Sequence, residues 1–141
     1  MEFRRKDTNI VELNSLSENT IMNTLGIRIT KAEDNLIEGE MPVDPRTHQV
    51  FGILHGGASV VLAETLGSIG AQLYAPEGYQ CVGLDINANH IRAVRTGKVL
   101  GKAAPLHVGR TTQVWEIKIY SEDEKLVCIS RLTVAVVPKK S

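Results

Sequence analysis

The chain predicts an α+β fold in which an antiparallel sheet packs on one long helix. Three observations carry that class. The run from His55 to Tyr74 is almost uncharged and too long for a strand, period-two alternation flanks it on both sides, and turn residues divide that alternation into hairpins. At 141 residues, with no repeat, linker or low-complexity tract, the sequence is expected to form a single domain over 1–141.

Taken in order, the polar stretch from Asp7 to Leu25 carries apolar residues at Ile10, Leu13, Leu16, Ile21, Met22 and Leu25. This predicts one or two short surface helices, broken near Ser17 to Asn19 and ended by Gly26. Ile27, Ile29 and then Leu36 to Val43 alternate with polar residues around Glu33-Asp34-Asn35, the pattern of a hairpin. Asp44 to Gly52 reads as a loop that delivers Gln49 and Phe51 to the central run. That run begins in Gly56-Gly57, stops before Pro76, and predicts a buried helix of about five turns at roughly 3.6 residues each. Its apolar stripe is expected at Ala58, Val61, Leu62, Thr65, Leu66, Ile69 and Leu73, with Gly56, Gly67, Gly70 and Ala71 leaving room for close approach elsewhere.

Beyond the helix, Cys81 to Arg92 alternates Val82, Leu84, Ile86 and Ala88 against Gly83, Asp85, Asn87 and Asn89. Thr96-Gly97 is expected to turn this strand antiparallel into Lys98 to Leu106. His107-Val108-Gly109-Arg110 makes a further turn into a strand whose inward face is Gln113, Trp115, Ile117 and Ile119, with Trp115 read as core. Ser121 to Lys125 closes a hairpin into Leu126 to Val137, which is apolar on both faces as a central strand is. One helix covers one sheet face and leaves a long edge open, so self-association is expected.

Sixteen basic and sixteen acidic residues cancel, leaving no electrostatic footprint for nucleic acid or an anionic membrane. Cys81 and Cys128 have no CxxC partner, and His48, His55, His90 and His107 fit no zinc-binding spacing, so reduced thiols and no metal or cofactor are expected. Met1 to Lys6 carry no apolar leader, and no run reaches the roughly 20 apolar residues of a membrane span without glycine-rich interruption. A cytoplasmic protein is the expectation.

Glu64 is the only carboxylate in the central run. An ionised carboxylate in apolar surroundings is costly, which makes it either a functional group or the partner of an arginine such as Arg92 or Arg131. The first amides of a helix lack partners within it and favour negative charge. Gly56 and Gly57, without side chains, let a ligand's carbonyl oxygen reach that backbone. A carboxylate and an oxyanion-binding backbone in one segment point to acyl chemistry.

The segment from Gln49 through His55-Gly56-Gly57-Ala58-Ser59 to Glu64 resembles the hotdog-fold acyl-CoA thioesterases of the phenylacetate-pathway and hydroxybenzoyl-CoA thioesterase type, and the likeness extends over nearly the whole chain. Met41 to Asp44, Val82 to His90 and Gln113 to Trp115 are similar to the subgroup of the 1,4-dihydroxy-2-naphthoyl-CoA thioesterase of menaquinone synthesis and the enterobactin proofreading thioesterase. The resemblance implies a curved sheet wrapped around the helix and an acyl-CoA substrate with no cofactor. It implies Glu64 as nucleophile or general base, the Gly56 N–H and the Gln49 amide polarising the thioester carbonyl, and His55 and Ser68 as supporting groups. It implies coenzyme A binding at Gly83, at His90, Ile91, Arg92 and Ala93, and at His107, Val108, Gly109, Arg110, Thr111 and Thr112. It also implies a homodimer that shares each site, Glu64 from one subunit and Gln49 to Gly56 from the other, within a homotetramer built as a dimer of dimers.

Other readings stand beside this one. His55 is a second candidate general base, with Glu64 orienting it. Asn87 to Arg92, Arg95, Lys98, Lys102 and the turn at His107 to Thr112 form either a phosphate-binding rim at the ends of adjacent strands or a solvated one. A hotdog hydratase or dehydratase, and a non-catalytic acyl-CoA-binding module, are the competing functions.

Overall fold

The computed structural model describes residues 9–140, so the reading of Met1 to Lys6 lies outside it. Two short helices come first, α1 (Ile10–Ser15) and α2 (Ile21–Leu25). Asn9 caps α1 by accepting the Glu12 N–H at 3.0 Å, and Gly26 ends α2 at φ 75°, a left-handed conformation that suits glycine. The hairpin of β1 (Arg28–Glu33) and β2 (Leu36–Pro42) turns at Asn35, itself left-handed at φ 65°. The long helix α3 (Gly56–Tyr74) follows, then β3 (Tyr79–His90), β4 (Lys98–Val108), β5 (Thr112–Ser121) and β6 (Leu126–Pro138).

The six strands form one antiparallel sheet in the order β1-β2-β4-β5-β6-β3. This corrects one expectation: β3 does not turn back onto β4. It pairs with β6 from Tyr79 opposite Pro138 to His90 opposite Cys128, and β4 is held between β2 and β5. Thr96-Gly97 ends a connection that carries the chain from one side of the sheet to the other. As a result β3 is an edge strand. Its alternation is also broken: a bulge between Gly83 and Asp85 leaves Val82 and Leu84 exposed, while Ile86 and Ala88 pack against the core.

Helix α3 packs across one face of the sheet, and its buried side differs from the predicted stripe. Ser59, Ala63, Gly67, Gly70 and Ala71 join Ala58, Leu62, Leu66 and Leu73, whereas Val61, Thr65 and Ile69 are half-buried. The small residues are where the sheet comes closest. A Cβ on Gly70 would sit 2.5 Å from the Trp115 ring, and one on Gly67 would sit 2.7 Å from Leu132. Overpacking of that kind costs about 1–3 kcal/mol.

Polar contacts anchor the far end of α3. Trp115 Nε1 donates to Gln113 Oε1 at 2.8 Å, Gln113 Nε2 donates to the Ala71 carbonyl at 3.1 Å, and the Tyr74 hydroxyl donates to Asn35 Oδ1 at 2.7 Å. Trp115 is fully buried, as its inward position predicts. Ala75 is extended ahead of Pro76, which disfavours a helical residue before it. Both cysteines are free, Cys128 buried and Cys81 half-buried, and burial pushes each thiol above its ordinary pKa.

Candidate functional site

The loop before α3 is built to present Gln49. The Gln49 N–H donates to the Ile53 carbonyl and the Gly52 N–H to the Gln49 carbonyl, both at 2.9 Å, in a turn that needs the positive φ of Gly52. The Leu54 N–H reaches the Val94 carbonyl and the His55 N–H the Thr47 carbonyl, each at 2.8 Å, and His48 Nε2 bonds to the Arg95 carbonyl at 2.9 Å. These bonds hold the loop against the segment after β3. The Phe51 N–H donates to Gln49 Oε1. Only oxygen can accept there, so the Gln49 NH₂ is left to donate elsewhere.

His55 is the N-cap of α3, its Nδ1 accepting the Gly57 N–H at 2.7 Å. That bond requires an unprotonated Nδ1, so the neutral ring carries its proton on Nε2 and presents a donor. The Gly56 N–H has no partner among the described residues. His90 packs on the other side of that glycine, 2.7 Å from where a Cβ would be. Gln49, Gly56, Ser59, His90, Ile91, Arg92 and Ala93 line one cavity of about 300 Å³, together with Ile53, Leu54 and Val127. A wider groove of about 620 Å³ lies beyond, between Pro45, His48, Val50 and His55, and Gln49 borders both.

Glu64 is elsewhere. It follows Gly56 by eight residues, which is about 12 Å along a helix axis at 1.5 Å per residue. Its half-buried carboxylate rests against Gly83, where any Cβ would collide with it. Glu64 makes no hydrogen bond or ion pair among the described residues, so the pairing with Arg92 or Arg131 is not formed. Ser68 lies one turn further along the same face.

The remaining predicted residues divide between these two places. The turn from His107 to Thr112 is closed by the Gly109 N–H to the Thr112 carbonyl at 2.8 Å, and Thr111 accepts the Val136 N–H at 2.8 Å. Thr112 and Val82 both pair with Ala135, so the turn belongs to the Gly83 end of the sheet. His90 pairs with Cys128 at the other end, seven residues or about 23 Å from Gly83. The expectation of one basic rim is therefore corrected: Arg92 and Lys98 lie at one end of the sheet and His107 to Thr112 at the other. Lys98 pairs with Glu40 at 3.0 Å, and Lys102 sits over the Tyr120 ring in mid-strand.

The predicted site residues thus fall into two groups. One joins Gln49, His55, Gly56, His90, Ile91, Arg92 and Ala93, and the other joins Glu64, Ser68, Gly83 and the turn from His107 to Thr112. Three contributors escaped the sequence reading. Ser59, almost fully buried, lines the cavity one turn after Gly56, a helical spacing that marks it in retrospect. His48 and Gln72 act by hydrogen bonds across the fold and leave no local pattern.

Known proteins carry the same architecture. The chain is 51% identical over 132 residues to the proofreading thioesterase EntH of Klebsiella pneumoniae, covering 94% of this chain and 96% of that one. It is 48% identical over 136 residues to the 1,4-dihydroxy-2-naphthoyl-CoA hydrolase of Escherichia coli, covering 96% and 99%. The crystal structure of a thioesterase from Haemophilus influenzae superposes with a TM-score of 0.94 at 50% identity, over 97% of this chain and 96% of that one. The thioesterase superfamily pattern matches residues 51–128, the stretch that holds the helix start, Glu64 and Gly83. With that match, the long helix against a six-stranded antiparallel sheet is the hotdog arrangement, and the chain belongs to the thioesterase superfamily.

Proposed function

We propose that this thioesterase hydrolyses coenzyme A thioesters with aromatic acyl groups, of the 1,4-dihydroxy-2-naphthoyl kind, at sites shared between two copies of the chain. The acyl class is argued from the name of the Escherichia coli relative. The sharing is argued from geometry. A thioester carbonyl held by the Gly56 N–H and the Gln49 NH₂ is about a dozen ångströms from the same chain's Glu64, too far for one carbon to meet both. A second copy across the open β3 edge supplies the missing carboxylate. The reading extends to a cytoplasmic homotetramer made of two such dimers.

In the proposed reaction the Gly56 and Gln49 donors, with the positive end of α3, stabilise the oxyanion as the carbonyl carbon becomes tetrahedral. The Glu64 carboxylate of the other copy either takes a proton from attacking water or attacks directly to form an anhydride that water then opens. Both routes consume one water and release the acid and the coenzyme A thiol. His55, with Nδ1 engaged by the Gly57 N–H, serves as a donor from Nε2 rather than as the base. The residues from His90 to Ala93 on one copy and from His107 to Thr112 on the other bracket the coenzyme A.

The observation that carries this reading is an unpartnered helix-start amide facing a cavity in a chain whose one candidate carboxylate lies at a sheet edge. The test is thiol release from benzoyl-, 1,4-dihydroxy-2-naphthoyl- and medium-chain alkanoyl-CoA. The aromatic esters should turn over fastest and Glu64→Ala should abolish turnover. Wild-type turnover by Glu64→Ala, or a preference for the alkanoyl ester, contradicts the proposal.

A further inference from the structure

The outer edge of β3 is not open along its whole length. Gln72, near the end of α3, donates from Nε2 to the Tyr79 carbonyl at 3.0 Å and accepts the Cys81 N–H on Oε1 at 2.9 Å. Those two backbone groups point away from β6, so the carboxamide fills the place a neighbouring strand would take. Past the bulge, the Ile91 N–H returns to the Val127 carbonyl at 2.7 Å, which sets the direction of the groups before it. Asp85, Asn87 and Asn89 face β6, while Ile86, Ala88 and His90 turn their N–H and C=O to the outside.

We infer that Gln72 is a positioning residue: by ending the self-pairing of β3 at its start, it sets the register in which two copies join, with Asn87 on the two-fold axis. The inference rests on the shared-site reading above. A second set of contacts leads to the same register. Glu64 sits at Gly83 and Gly56 sits at His90, so one copy's carboxylate meets the other's helix start only when His90 lies opposite the Gly83–Leu84 bulge. Antiparallel pairing with that correspondence puts Asn87 beside its own symmetry mate. It also leaves residues 79–81 outside the paired span, where Gln72 already occupies them.

Without Gln72 the freed Tyr79 and Cys81 groups extend the available edge. Pairing can then slide by two residues, the smallest slip that keeps each side chain on its face. Such a slip carries Glu64 about 7 Å along the strand, away from the carbonyl. Turnover should suffer more than substrate binding.

Cysteine cross-linking in the full-length chain tests this. Oxidised Asn87→Cys should give a disulfide dimer, because Cα atoms of a non-hydrogen-bonded antiparallel pair are about 4.5 Å apart, within disulfide reach. Peptide mass spectrometry separates that bond from any made by Cys81 or Cys128. Adding Gln72→Met, which keeps the length and loses both bonds, should shift cross-linking toward Ile86→Cys and lower kcat at least about tenfold with a smaller change in KM. Gln72→Glu, which still accepts from the Cys81 N–H, should fall between, and it carries the test if Gln72→Met does not fold. A dimeric parent in which Asn87→Cys fails to cross-link, or a Gln72→Met variant with the parent's cross-links and kcat, overturns the inference alone. A monomeric parent overturns the shared-site reading and this inference together.

Discussion

The two edges of the sheet are closed in the same way but to different extents. At β1, Asn14 of α1 donates from Nδ2 to the Ile29 carbonyl and accepts the Ile29 N–H, both at 2.8 Å, and the strand is only six residues long with charges at Arg28, Lys31 and Glu33. At β3, Gln72 makes the matching pair of bonds, but the strand runs for twelve residues and Asp85 is its only fixed charge. One carboxamide suffices to blunt a short charged edge. On the long edge it leaves everything from Gly83 onward available, and that remainder carries both Gly83, against which Glu64 rests, and His90, against which Gly56 rests. The open edge runs past both groups of predicted site residues.

The largest expected effect follows from closing that edge. Ala88→Pro removes an N–H that faces outward, a place where an edge strand tolerates proline, so the monomer should fold while light scattering shows the assembly lost and thioester hydrolysis gone. A folded, dimeric and active Ala88→Pro would mean that the copies join elsewhere. Glu64→Gln, which keeps the shape and removes the base, should lower kcat about 10³-fold without changing oligomeric state. Gln49→Ala should cost about 10²-fold in kcat by removing one oxyanion donor. An effect confined to KM would instead place Gln49 in substrate binding alone.

Changes at the closed edge should touch stability only. Asn14→Ala should lower unfolding stability by about 1 kcal/mol in a denaturant titration, with kcat unchanged. The smallest effect concerns Glu40 on β2. Burial raises its pKa, but the hydrogen bonds and charges of Lys98 and Arg28 outweigh that and hold it below the usual carboxylate value. A carboxyl group depressed in the folded state contributes stability above its unfolded pKa and loses it as pH falls through the folded one. Glu40→Gln should therefore lower Tm slightly at neutral pH and leave the strongly acid region nearly unchanged, so that the acid side of the Tm-versus-pH curve flattens.

Much of this fold was legible because local chemistry decided it. The glycine-led, proline-stopped run could only be the long helix, and Asn35 and the Ser121 to Lys125 turn marked true hairpins. The placement of β3 was not legible. Thr96-Gly97 looks the same whether it closes a hairpin or ends a crossover, and what decides is that β2 and β5 already occupy both edges of β4. The buried side of α3 was misjudged for a related reason. Gly67 and Gly70 read as gaps, yet they are the points of closest packing because Leu132 and Trp115 come in from the sheet.

The site shows the same division. Gly56, Gln49 and Glu64 stood out from helix-start chemistry and from the family resemblance. Their separation into two places depends on strand register, which no local pattern encodes. His48 acts through one hydrogen bond and Gln72 through two, all to backbone outside their own elements, so their roles emerge only once the strands are in place.

The sharing of each site between two chains is tested most directly by mixing two inactive variants. Glu64→Ala and Gln49→Ala, each assayed alone, should be nearly inactive. Unfolded and refolded together in equal amounts, they should recover about a quarter of wild-type activity, because half the dimers are mixed and each mixed dimer has one site free of both defects. Activity no higher than the mean of the two variants would contradict the account.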